Sequence, residues 1–179
     1  LLIGNKTDDD NMYYVKKADS DIIYKINSDK ISVFTDATLF SLTNPTIYAT
    51  DETDFSSFEI DYKGQTSNIS LEREEDEYKS TENKTYYQYH PVLNGAQMDA
   101  QEYESFLSSI QNTALEQATN LTAKGEPVLK ITIKHFDTDR IDTISFYETD
   151  GNILVVTGDI VRGMIGTSSF ETLIESMPI

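Results

Sequence analysis

The chain of 179 residues contains no cysteine and no tryptophan, and only 2 histidines and 4 prolines. Without cysteine there can be no disulfide framework and no thiolate metal site. Histidine is too scarce to supply a histidine-rich metal centre. Positive charge is also short: 14 Lys and Arg stand against 31 Asp and Glu, giving a formal net charge of −17. Nucleic-acid binding needs clustered cations to neutralise phosphates, so the sequence argues against it, and an anionic lipid surface is disfavoured for the same reason. No apolar run approaches the roughly 20 residues that span a bilayer. Motifs of soluble catalysis are missing too: there is no Gly-x-Ser-x-Gly elbow, phosphate-binding loop or dinucleotide fingerprint.

What remains is an apolar fraction of 38%, with 11 Tyr and 8 Phe, enough for one good core. The chain opens Leu1-Leu2-Ile3-Gly4, without an initiator Met and already in strand-like sequence. This predicts a piece of something longer, with room for an upstream anchor.

The apolar spacing predicts an α+β fold of antiparallel, hairpin-rich sheets with two main helices. Leu1–Ile3, Met12–Val15 and Ile22–Ile26 read as strands separated by Asp-, Asn- and Ser-rich turns. Residues 28–42 read as short helical turns, with Ile31, Val33, Phe34, Leu39, Phe40 and Leu42 contributing to the core. They end at Asn44-Pro45, because the residue before Pro avoids the helical region. Phe58, Ile60 and Tyr62 alternate, Lys63–Thr66 turns, and Ile69 and Leu71 alternate again. The acidic run Glu72–Glu77 reads as a solvated strand end or loop, and Lys84–Pro91 as a strand stopped by its Pro. Asp99 and Glu102 have capping-box spacing ahead of the stripe Tyr103, Phe106, Leu107, Ile110 and Ala114, which predicts a helix to about Leu115. Strands return from Val128, with an Asp150-Gly151 hairpin turn and a strand-to-helix turn at Gly163–Gly166. Ser168 and Glu171 then suggest a capping box for a closing helix with Phe170, Leu173, Ile174 and Met177 on its apolar face.

An internal echo runs through these elements. Phe58–Tyr62 followed by Ile69–Glu72 parallels Leu129–Ile133 followed by Ile144–Tyr147, and each pair leads through a further strand to a helix. The first residues match the back part of the same unit, with Leu1–Ile3 against Ile69–Leu71 and Tyr13-Tyr14 against Tyr86-Tyr87. The expected organisation is one domain over 1–179, built from a partial unit at about 1–54 and units at 55–120 and 121–179.

Gly4, Met12-Tyr13-Tyr14-Val15-Lys16 and Asp21-Ile22-Ile23-Tyr24-Lys25-Ile26 together resemble the bacterial domain-of-unknown-function family 4340. Further along, Ile69–Glu72, Tyr86 to His90-Pro91, and Asp99 through Tyr103, Phe106-Leu107 and Ile110 follow the same family pattern. The acidic run at Glu72–Glu77 and the stretch between Asn44 and Phe55 depart from it. The resemblance implies a membrane-anchored, extracytoplasmic bacterial domain, some relatives being associated with ABC-type transporters and with gliding-motility auxiliary proteins. It implies no catalytic residue.

The residues themselves support the same non-enzymatic expectation: no catalytic, cofactor-binding or metal-binding residue is assigned. His90 and His135 sit in strand sequence with no converging partners, and read as surface or edge-strand residues. Asp8-Asp9-Asp10-Asn11 and Asp137-Thr138-Asp139 lack the alternating ligands, central Gly and distant Glu of a calcium loop, and read as turns. Asn5, Asn68, Asn83 and Asn120 begin glycosylation-type triplets that carry little meaning in a bacterial protein. A carboxylate-pair hydrolase is a weaker alternative, since 31 acids make any chosen pair uninformative. Tyr14 and Tyr87 are the candidate binding surface, each expected to present one ring of a Tyr pair outward. The expected function is an interaction or assembly module with a protein partner in the membrane or envelope; the alternative is a glycan- or peptide-binding module using those tyrosines.

Overall fold

The computed structural model describes residues 1–8, 11–35, 45–48, 50 and 54–179, apart from the side chain of Val33. Its contacts divide the chain into two compact units, Leu1–Asn44 and Pro45–Ile179.

In the first unit, β1 (Leu2–Lys6), β2 (Met12–Lys16) and β3 (Ile23–Asn27) form an antiparallel sheet in the order β1-β2-β3, followed at once by α1 (Ser28–Thr35). Val15 and Ile31 are buried, whereas all five residues of β1 are exposed. Phe34, expected inside, is 69% exposed. Leu39, Phe40 and Leu42 lie outside the described residues, as do Asp9 and Asp10.

The second unit holds β4 (Phe55–Tyr62), β5 (Gln65–Glu75), β6 (Tyr87–Leu93), β7 (Ala96–Gln97), α2 (Ala100–Asn112), β8 (Leu129–His135), β9 (Ile141–Glu148), β10 (Asn152–Thr157), β11 (Ile160–Gly166) and α3 (Thr167–Glu175). Its eight strands make one antiparallel sheet in the order β11-β10-β9-β8-β4-β5-β6-β7. Each half therefore runs four strands and a helix, and the halves meet where their first strands pair. Along that seam Phe58 faces Ile133, Ile60 faces Ile131 and Tyr62 faces Leu129, so the Ile60–Ile131 pair lies on a local twofold axis. Next outward, Ile69 faces Phe58 and Phe146 faces Leu129. The structural counterpart of Ile69 is thus Phe146, two residues beyond the Ile144 suggested by sequence. A two-residue slip keeps every side chain on its own face, so alternation alone could not detect it.

The period-2 pattern sets the core. Phe58, Ile60, Ile69, Leu129, Ile131, Ile133, Ile144 and Phe146 are fully buried. Helix α2 lays Tyr103, Phe106 and Ile110 on this face, and Phe106 meets Phe58 edge-on at 5.2 Å between ring centroids. Such aromatic pairs add about 0.5–1.5 kcal/mol beyond the area they bury. Helix α3 places Phe170 and Leu173 in the equivalent positions, with Phe170 5.6 Å from Phe146.

Several local expectations are corrected. Strand β6 runs through Pro91 rather than stopping there, with Pro91 facing Leu71. Only Val92 and Leu93 of β6 pair with the two-residue β7, so the missing Pro91 N–H falls at an effective sheet edge. The acidic run is the largely exposed end of β5, which reaches Glu75, as one of its two readings had it, but Asp76 is buried, accepting the N–H groups of Tyr78 and Lys79 and pairing with the Lys79 ammonium. Strand β11 extends through the expected turn to Gly166. Asp99 does cap α2, its Oδ1 accepting from the N–H groups of Gln101 and Glu102. The cap of α3 is instead Gly166, and the carboxylate at that end comes from Glu116, which accepts from the Ser169 hydroxyl at 2.5 Å. A Cβ on residue 166 would lie 3.0 Å from Glu116 Oε2, so the carboxylate would have to give by a few tenths of an ångström. Bonds from Ser169 and from the Gly166 backbone hold the Glu116 carboxyl below its ordinary pKa.

Candidate functional site

The densest polar chemistry gathers where β8 ends and β4 begins. Antiparallel pairing sets Phe55 opposite His135, and the Phe136 N–H donates to the Asp54 carbonyl at 3.0 Å. On one side lies a carboxylate, Asp142 of β9, with three donors around it. The Tyr48 hydroxyl donates to Oδ2 at 2.6 Å, His135 Nε2 lies 3.1 Å from the same oxygen, and Arg140 binds through Nε to Oδ1 at 3.0 Å and Nη2 to Oδ2 at 2.8 Å. An ionised carboxylate only accepts, so the His135 proton facing it sits on Nε2. Burial pushes the Asp142 carboxyl up, but the bonds from Tyr48, Arg140 and His135 outweigh it and leave it below the ordinary range. Burial first, then the bond to Asp142, raises the Tyr48 hydroxyl far above its usual value.

On the other side is Arg73 of β5. Its guanidinium binds both Asp137 oxygens at 2.7 Å and Asp54 Oδ2 at 3.2 Å. It also lies between two rings, 4.4 Å from the Tyr87 centroid and 4.2 Å from that of Phe136. Tyr89 donates to Asp54 Oδ1 at 2.7 Å, and burial together with that carboxylate pushes its hydroxyl up to about 12. Asp137 adopts φ 57°, which aims its carboxylate back at Arg73 from the turn after β8. The planar fork of Arg73 suits this combined carboxylate and aromatic contact in a way that a lysine would not.

Chemically this constellation is a clamp. Its carboxylates face fixed cations or hydroxyl donors, and among the described residues no buried side-chain polar atom lacks a partner. It joins β4, β5, β6 and the β8–β9 turn. Among the described residues no group of three His, Asp or Glu is placed to hold a metal ion.

The residues singled out from sequence fall in different places. His135, expected at a surface or edge, is 7% exposed, because β8 is paired on both sides, and its ring meets Asp142. His90 stays half-exposed on β6, 3.9 Å from Glu74. Tyr14 belongs to β2 of the first unit and Tyr87 to β6 of the second. Each is partly exposed, at 39% and 37%, and each carries a cation over one face: Lys25 at 5.4 Å for Tyr14, Arg73 for Tyr87. Sequence reasoning missed Tyr48 and Arg73. Tyr48 is 94 residues from Asp142, and Arg73 is 64 residues from Asp137, beyond any local spacing rule.

Two surface concavities flank the Thr149–Asn152 turn. One, of about 440 Å³, is lined by Tyr62, Lys63, Glu148, Phe170, Glu171 and Ile174 among others. The other, of about 540 Å³, lies against Leu121, Lys124, Tyr147, Leu154 and Met164. Neither contains the polar clamp.

No significant match is found among curated proteins, and none among solved structures. Residues 1–128, which end just before β8, match the family described as Domain of unknown function (DUF4340). That span is well over half of the chain, and the chain belongs to this family.

Proposed function

We propose that the chain is a non-catalytic interaction or assembly module of a membrane-anchored bacterial protein, acting outside the cytoplasm and auxiliary to an ABC-type transporter. The observation that carries the interaction reading is the open face of the first sheet. Strand pairing puts Leu2, Met12, Tyr14 and Ile23 on one side of β1-β2-β3, where they are 55%, 38%, 39% and 64% exposed. Apolar side chains grouped in this way mark surfaces that meet a partner. The non-catalytic reading is supported by the clamp, in which the side chains best suited to chemistry are held by one another. The net charge of −17 turns the partner away from nucleic acid and toward protein.

The test is topological. Intact cells or spheroplasts expressing the full gene product are treated with external protease, and the membrane complex is then cross-linked and identified. Cleavage within residues 1–179 from outside, together with a transporter subunit in the cross-linked complex, supports the proposal. A protected fragment in the soluble cytosolic fraction would sink it. A second reading rests on the partly exposed rings of Tyr14 and Tyr87. It takes them as platforms for a glycan or peptide, and Tyr14→Ala and Tyr87→Ala should then each weaken binding to isolated cell-wall glycans.

A further inference from the structure

The local twofold of the second sheet gives the β4–β8 seam two matching ends. At one, Phe136, the residue after β8, donates its N–H to the carbonyl of Asp54, the residue before β4. At the other, Lys63, the residue after β4, donates its N–H to the carbonyl of Val128, the residue before β8. Both bonds measure 3.0 Å. The first end is filled by Arg73, with the Tyr87 and Phe136 rings against its guanidinium and Asp54 and Asp137 bound to it. The second end is open. It forms the concavity of about 440 Å³ beside the Thr149–Asn152 turn, which Tyr62 and Lys63 line.

Strand length separates the two ends. Beyond Ile69, β5 runs on to Glu75 and delivers Arg73 at the fourth residue. Beyond its counterpart Phe146, β9 stops at Glu148, and the fourth residue is Asp150, already in the turn. No side chain of β9 therefore reaches the place of Arg73. Helix α3 completes the lining with Phe170, Glu171 and Glu175. The charged groups facing the cavity are thus three carboxylates, Glu148, Glu171 and Glu175, and one ammonium, that of Lys63. That ammonium lies 5.1 Å from the centroid of the Tyr62 ring. Among the described residues none of the three carboxylates has a side-chain hydrogen bond or an ion pair. The volume falls within the roughly 300–1,000 Å³ of ligand pockets.

We propose that this concavity receives an arginine side chain from a basic segment of a protein partner, in the place that Arg73 fills at the other end of the seam. The rings of Tyr62 and Phe170 would supply the aromatic contact, and Glu148, Glu171 and Glu175 the acceptors for the guanidinium. An acidic rim alone does not name a ligand; the matching end, built of carboxylates and rings around a guanidinium, does. The fork of arginine suits several acceptors at once in a way that a lysine ammonium does not. The net charge of −17 steers a basic segment toward the chain. The proposal rests on the interaction reading above only in taking the partner to be a protein.

The test titrates the chain with a capped Gly-Arg-Gly peptide and, in parallel, with the same peptide carrying citrulline, the neutral isostere of arginine. Side-chain NMR signals of Tyr62 and Phe170 report binding. Saturable shifts at both residues are expected with the arginine peptide, and affinity about tenfold or more lower with citrulline. Joint replacement Glu171→Gln and Glu175→Gln should weaken binding about tenfold, and since both residues are exposed the variant should keep the parent fold. Lys63→Asn removes the resident ammonium and suits the φ of 51° at that position, so it should bind the peptide more tightly. Absence of saturable shifts at millimolar arginine peptide, equal binding of the citrulline peptide, or unchanged binding by the double variant overturns the proposal. So does putrescine binding at Tyr62 and Phe170 about tenfold more tightly than the peptide, because the occupant would then be a small free amine. A failed titration leaves the protease and cross-linking test of location unaffected, so the two readings fail separately.

Discussion

Replacing Asp142 with alanine removes the acceptor that holds Tyr48, His135 and Arg140 together. Tyr48 and His135 are 4% and 7% exposed, so their hydroxyl and ring N–H cannot simply turn to water. A buried donor left without its partner costs about 1–3 kcal/mol. Arg140 is more exposed and its ion pair adds at most about 1 kcal/mol. With partial relaxation, the expected loss is about 3 kcal/mol, a large share of the ~5–15 kcal/mol that holds a domain together. Urea unfolding of parent and Asp142→Ala at neutral pH measures it. Tyr48→Phe alone should cost about 1 kcal/mol, since the other donors remain on the carboxylate. The two changes together should fall short of additivity by about 1 kcal/mol. The pH dependence follows from the depressed carboxyl. As pH falls, the unfolded chain takes up the Asp142 proton first, near the ordinary value of about 3.9. The stabilisation is therefore complete above that value and disappears as pH drops through the lower folded value. The difference between parent and variant should hold steady above about pH 5 and shrink below it, as pH falls toward the lower folded value. A loss below about 0.5 kcal/mol, the scale of ordinary surface substitutions, would refute the reasoning. A gap that widened on acidification would refute it too.

Three further outcomes follow from the packing and the caps. Asp99→Ala should destabilise by about 1 kcal/mol and speed amide exchange at Gln101 and Glu102, the two groups it caps. Phe106→Ala should cost about 3–5 kcal/mol and Leu173→Ala about 2–5 kcal/mol, with the second unit of each variant still melting in one transition by calorimetry, because both helices cover a single sheet. Arg73→Ala should cost about 1–2 kcal/mol, combining two partly exposed ion pairs with two ring contacts. Thermal melts in low and high salt should show only part of that loss screened, since the ring contacts are insensitive to salt.

The hairpins and helices were legible because their signals are local. Alternation at Phe58, Ile60 and Tyr62, the stripe at Tyr103, Phe106 and Ile110, and the Asp99 cap each lie within a few residues of what they specify. The mixed α+β class followed directly from those segments. Less was readable where two distant segments decide the outcome. Pro91 suggested a strand end, because nothing nearby reveals that its partner on that side is only two residues long. His135 was placed at an edge, because the seam that buries β8 comes from β4, some seventy residues earlier. Ser168 and Glu171 suggested a cap, yet the carboxylate that serves α3 is Glu116, which belongs to the segment after α2. The polar clamp was invisible for the same reason: its residues carry no motif and meet only through the order of the sheet. Phe34 shows the reverse failure, an apolar residue that sequence placed in the core and structure leaves in water.

The seam between β4 and β8 has a kinetic consequence. All other strand pairs of the second unit join neighbours in sequence, so each can close as a hairpin across a short or moderate loop. Only β4 and β8 must find each other across the whole first half. Loop-closure entropy opposes this encounter more than any other pairing in the sheet. The natural route is for hairpins to flicker on both sides and for Ile60 meeting Ile131 to commit the chain. Substitutions at that pair should therefore slow refolding, while those at the outer strands β7 and β11 should chiefly hasten unfolding. One pair of isoleucines would then set the pace at which the two halves of the sheet join.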